Sequence, residues 1–130
     1  MTMPASPSTE SVDANIYVAV RQRSYFSNGT AFLYSWFYTQ VRNRGPWDYK
    51  QLSRHYADFG NFNYGATGTV LGISEMILLR GAGFAQSRVG TSGPEFGVWY
   101  GDSPYGDDED DQYWIKEGIK YAQAKGHYAR

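Results

Sequence analysis

The chain has 130 residues and a mass of 14.7 kDa, the size of one domain, and a chain of this length buries roughly two-thirds of its unfolded surface without a covalent staple. It contains no cysteine, which excludes a disulfide scaffold, a thiolate metal site and a cysteine nucleophile, and its two histidines are too few for an all-histidine metal centre. Twelve basic and thirteen acidic residues give a net charge of −1, which argues against broad wrapping of nucleic acid, and no apolar run approaches the ~20 residues that span a bilayer.

Residues 1–10 are rich in Pro, Ser and Thr and read as a disordered tail, with residues 11–130 as a single domain. The tail has neither the basic nor the apolar region of a signal peptide. Ser11 or Asp13 caps a first helix over 12–23, whose stripe is Ile16, Ala19, Val20 and Arg23. Asn28-Gly29 breaks the chain, and Thr30 caps a second helix over 31–42 with a face of Leu33, Trp36, Phe37 and Gln40. Gly45 and Pro46 end it.

Trp47, Leu52, Tyr56 and Phe59 are spaced to line a short helix face. Gly65, Gly68 and Gly72 then make a face without side chains, which suits close approach of another helix or of a ligand. A helix over 75–88 opens with Met76, Ile77 and Leu79, apolar nearly all round, and is expected to be the central buried one. Gly81 and Gly83 are expected to face the small-residue stripe. Residues 90–106 form a long Gly- and Pro-rich loop. Asp107 to Asp111 is an acidic run at the start of a last helix, where the dipole favours negative charge. Ile115, Ile119 and Ala122 form its inner face, the lysines lie towards its C-terminus, and Gly126 stops it. The class is mainly α: about five helices around one core with a glycine-rich central segment.

Aromatic residues make up 18% of the chain, with twelve Tyr and four Trp. Such rings serve equally as core filler or as platforms for sugars and bases. Polar and aromatic groups concentrate at 47–64, where Asp48, Lys50, His55, Asp58, Asn61, Asn63 and Tyr64 lie. His55 and Asp58 share a face if 51–58 is helical, and such a pair does acid–base work or is merely a surface histidine beside a helix-end aspartate. Asp48 and Asp58 could flank a glycosidic bond or simply cap helices. The run 107–111 lacks the alternating spacing of a calcium loop, so a charged helix N-terminus is the better reading and no metal or other cofactor is expected. No P-loop, GxSxG or HExxH motif is present.

Four strings in order, GPWDYKQ at 45–51, DFGNFNYGATG at 58–68, LLRGAGFAQ at 78–86 and YGDDEDDQYWIKEGI at 105–119, resemble the bacterial polymorphic toxin type 44 family. The resemblance covers roughly 43–121. It implies a toxin domain secreted or injected into competing bacteria, carried by type VI secretion or Rhs-like proteins and paired with an immunity protein. The chain would then be an excised toxin domain or a free-standing relative without its carrier or spike. The motif positions carried over are Trp47, Asp48, Lys50, Asp58, Gly60, Asn61, Asn63, Tyr64, Gly65, Gly68, Gln86, Asp107, Asp108 and Gln112. His55 lies outside these strings.

The favoured reaction is hydrolysis of peptidoglycan glycan strands. Asp58 is expected as the acid and Asp48 as the second carboxylate. Asn61, Asn63 and Tyr64 would position the sugar, with Gln86 and Gln112 as further binding residues and Trp47 as a stacking platform. A metal-independent ribonuclease using His55 and Asp58, with Lys50 or Arg54 on the phosphate, is the alternative. A non-enzymatic binding module is the third reading.

Overall fold

A computed structural model describes residues 3–7, 11–26, 29–88, 101–105 and 107–127. The order of elements is α1 (Val12–Tyr25), α2 (Thr30–Val41), two 3-10 turns (Tyr49–Gln51 and Arg54–Tyr56), α3 (Ala57–Val70), α4 (Glu75–Arg88) and α5 (Glu109–Ala124). The fold is mainly α, with five α-helices and no strand among the described residues. Of the expected tail, residues 3–7 lack regular structure and Pro7 is buried. Most of the 90–106 loop lies outside the described residues.

Ser11 caps α1 by accepting from the Ala14 amide at 3.1 Å, while Asp13 sits in the first turn. The buried stripe is Val12, Asn15, Ile16 and Ala19, the i, i+3, i+4, i+7 pattern of a helix lying on a core. Val20, expected on that stripe, is exposed. Arg23 instead reaches across to donate to the Val70 carbonyl at 2.7 Å, where a cation suits the C-terminal end of α3. In α2, Leu33 and Phe37 are buried, and Trp36 packs edge-on against Trp47. Thr30 begins this helix rather than capping it: Gly29 stands at the cap without a side-chain bond. Arg44, with φ of 68°, takes the left-handed turn after α2. Gly45 is required for space, since a Cβ there would lie 2.6 Å from the carbonyl oxygens of Thr39 and Gln40.

The expected helix face over 47–59 is not formed as such. Two 3-10 turns occupy this stretch, with Leu52 66% exposed while Trp47 and Phe59 are buried. Asp48 and Ser53 divide it, because their side chains bond to nearby groups and close separate short turns.

The central helix is α3, not α4. Phe59, Phe62, Asn63 and the run Gly65 to Val70 are buried, whereas α4 begins with Met76 and Ile77 turned outward and Leu78 and Leu79 inward. The reason lies in the glycines. A Cβ on Gly65 would strike the Ile115 carbonyl of α5, and one on Gly118 would strike the Phe62 carbonyl of α3. The two helices are in backbone contact, a distance only glycine allows. Gly68 opposes Leu78 of α4, and Gly81 of α4 faces the Tyr64 hydroxyl. Gly72 lies beyond α3 with φ of 91° and ends it. The small-residue face therefore receives helices.

Candidate active site

Contacts between α3 and α5 advance in one direction along both: Asn61 meets Asp111, Gly65 meets Ile115, and Ala66 meets Gly118. The helices thus run alongside each other in the same sense, and their N-termini lie at one end of the molecule. That end carries Asp58 in the first turn of α3 and Asp107, Asp108 and Asp111 at the start of α5. Asp108 is the N-cap of α5, accepting from the Asp110 amide at 2.8 Å. Two helix dipoles at this end favour the accumulated negative charge.

Within the cluster the carboxyls are held by amides. Asn61 Nδ2 donates to Asp111 at 3.0 Å and to the Ala57 carbonyl at 3.3 Å. Gln112 Nε2 donates to Asp107 at 2.8 Å and to the Leu79 carbonyl at 3.2 Å. Asp107 also accepts from the Asp108 amide at 2.9 Å. Both Asp107 and Gln112 are almost wholly buried, and Gln112 Oε1 has no donor among the described residues. Asp107 and Asp111 lie close enough to influence each other's titration.

Burial pushes the Asp111 carboxyl up to about 7, and the charges of Asp107 and Asp108, the bond to Asp107 and the charge of Asp58 add to the effect. Burial raises Asp107 as well, against the bonds from Gln112 and the Asp108 amide. Tyr64 donates its hydroxyl to the Leu78 carbonyl at 2.6 Å, and burial with the Asp107 charge drives its phenol further up, so it remains a neutral donor. The outcome is one carboxyl that holds a proton near neutral pH, beside carboxylates that keep it there. This is the property a general acid needs. Among the described residues no group of three or more His, Asp or Glu side chains is arranged to hold a metal ion.

Of the expected site residues, Asp58, Asn61, Tyr64 and Gln112 belong to this end or line its wall. Others are placed elsewhere. The Asp48 carboxylate accepts from the Arg44 amide at 2.8 Å and from Gln51 Nε2 at 2.7 Å, and pairs with Lys50 at 3.1 Å. Burial alone would raise it, but these hydrogen bonds and the Lys50 charge hold it below the usual carboxylate range. It closes the loop after α2. Lys50 also donates to Asn43 at 3.2 Å. Trp47 is buried against Trp36, so it offers no open face for stacking. Asn63 is fully buried and accepts from Asn15 Nδ2 at 2.8 Å, within a core network that includes the Tyr49 hydroxyl. His55 is exposed with its ring against Tyr56, and no bond joins it to Asp58 among the described residues. The side chain of Gln86 lies outside the described residues.

The acid pair Asp107 and Asp111 was not singled out by sequence reasoning as chemistry. The available signal was the run of aspartates at the start of a helix, where several carboxyls come close together.

The family model for bacterial toxin 44 (Ntox44) matches residues 49–124, more than half of the chain. The chain belongs to the bacterial toxin 44 family. The matched span runs from the first 3-10 turn to the last residue of α5 and contains every aspartate of the cluster. Trp47 and Asp48 precede it, in keeping with their place in the loop after α2. No curated protein and no solved structure matches the chain. No helix among the described residues is long and apolar enough to cross a membrane.

Proposed function

We propose that this toxin domain hydrolyses the glycan strands of peptidoglycan, with Asp111 as the proton donor and Asp58 as the second carboxylate. The observation that carries the reading is the Asp111 carboxyl, raised to about 7 within a group of aspartates. Cleavage of a glycosidic bond needs one protonated carboxyl at the leaving oxygen and a second carboxylate for the developing positive charge or for the attacking water. Asp111 supplies the first. The charge of Asp107 favours the protonated form of Asp111, and Asn61 fixes the orientation of the Asp111 carboxyl. Asp58 is exposed and acts on Asp111 from α3, where a substrate can reach it. The acid role thus moves from Asp58 to Asp111, and the second role from Asp48, which is consumed by its loop, to Asp58.

The ribonuclease reading has one observation in its favour: Arg54 and His55 stand in the turn that leads directly into α3, beside the same end. The aspartates there oppose a phosphodiester, which ranks this reading second. As a toxin, the domain would be delivered into a target cell by a carrier or spike protein and neutralised at home by an immunity protein.

Purified sacculi provide the test. The wild-type domain should lower their turbidity and release soluble muropeptides, and Asp111→Asn should lose about 100-fold or more of that rate. Intact sacculi, together with degraded transfer or ribosomal RNA, would transfer the assignment to the ribonuclease.

A further inference from the structure

Arg80 stands on α4, next to Leu79 and Gly81, which form the wall behind the acid pair. Among the described residues, its guanidinium contacts the segment that leads into α5. It donates to the Gly101 carbonyl at 2.8 Å, and it lies over the Tyr105 ring with its carbon 4.7 Å from the ring centroid. The segment is folded tightly between those contacts and the acid pair. The Tyr105 amide donates to the Asp102 carbonyl at 2.9 Å, and the Asp107 amide donates to the Pro104 carbonyl at 3.1 Å. Tyr105 adopts the left-handed region with φ of 61°, which a non-glycine residue holds only when its surroundings impose it. A cation over a ring and a charge-assisted hydrogen bond are contacts of the kind that impose it.

We infer that Arg80 is a positioning residue for the aspartates at the start of α5: it clamps the 101–105 segment to α4 and so seats Asp107 against Gln112 and beside Asp111. This rests on the reading of Asp111 as the proton donor. Arg80 touches neither reacting atom; it acts through the place of Asp107. The groups that face Asp111 are Asp107 and Asp108 from the approach to α5 and Asp58 and Asn61 from α3. Only the first two are carried by the segment that Arg80 holds.

The sign of one measurement separates positioning from simple proximity. Removing a cation near a carboxyl raises the carboxyl's titration midpoint, because the charged form loses a favourable neighbour. Releasing Asp107 does the reverse, because Asp111 loses an adjacent negative charge. The Asp111 side-chain carboxyl carbon is followed by NMR across the titration in the wild type and in Arg80→Ala. A midpoint lower by about one unit or more is expected, with the alkaline limb of sacculus hydrolysis moving down in parallel. Arg80→Lys, which keeps a cation over the Tyr105 ring, should restore part of the shift. An unchanged or raised midpoint in Arg80→Ala overturns the inference. If that variant does not fold, Tyr105→Leu removes the other side of the clamp and is judged by the same sign. A lowered midpoint in a protein whose Asp111→Asn variant still clears sacculi would leave the positioning intact and sink the glycosidase reading instead.

Discussion

At the scale of single residues, two aspartates have opposite surroundings and hence opposite pH behaviour. Asp111 is raised to about 7, so its folded form retains a proton that the unfolded chain has already released. The stability linked to that proton is present at low pH and is lost as pH rises from the ordinary aspartate value of roughly 3.9 through about 7. Asp111→Asn, which cannot ionise, should therefore melt higher than the wild type at pH 8, with the difference shrinking towards pH 5, as read by thermal unfolding followed by circular dichroism. Under the proposed glycosidase mechanism, which needs this carboxyl protonated, wild-type activity should decline as pH passes about 7. Asp48 is the converse. Its carboxylate is held low by the Arg44 amide, Gln51 and Lys50, so its contribution is present at neutral pH and is lost on acidification through its depressed folded value. Asp48→Ala should cost about 2 kcal/mol at pH 7, because it breaks charge-assisted bonds that close a buried loop, and urea titration would measure the loss. A cost near zero would mean that the loop closes without it.

At the scale of elements, the approach of α3 to α5 depends on glycines placed on both. Gly118→Ala should destabilise by about 3 kcal/mol or more, because its new carbon meets the Phe62 carbonyl rather than a side chain that can move. Gly60 lies in the same helix as Gly65 but has only ordinary contact with Tyr49 at 3.8 Å. Gly60→Ala should therefore stabilise by up to about 1 kcal/mol through helix propensity. Denaturant midpoints of the two variants should move in opposite directions. Four of the five α-helices were legible in the sequence, whereas α3 was split between a short 47–59 face and a glycine-rich segment. The predicted 75–88 coincides with Glu75–Arg88, and α1 and α2 were placed within two residues at each end. Ser11, the acidic first turn of α5 and Gly126 act within a turn of where they stand, so no long-range information was needed. The segment 47–59 was misjudged for a related reason. Its apolar spacing resembled a helix, but Asp48 and Ser53 bond to their own neighbours and close turns that compete with one.

At the scale of the whole molecule, the target compartment is the open choice, and growth of a sensitive bacterium decides it. Export to the periplasm should cause rounding or lysis, while the same chain kept in the cytoplasm should be tolerated. Killing from the cytoplasm alone would favour the ribonuclease. Absence of killing in both, with folded protein present, would favour a binding module, for which Tyr25, Phe32 and Tyr38 offer exposed rings. Asp58, Asn61, Tyr64 and Gln112 stand out in the toxin motif as candidates, but their grouping at one end of the molecule does not. Asp107 to Asp111 were read as charges matched to a helix dipole, which holds for the cap Asp108 and is incomplete for the acid pair. Local chemistry, acting over a few residues, set the helix boundaries, the glycine stripe and the family. Which carboxyls come together depended on α5 lying against the glycines of α3 and on residues 101–105 being held against α4. A raised carboxyl is the product of burial and of neighbours distant in the chain, and neither exists until the helices have packed.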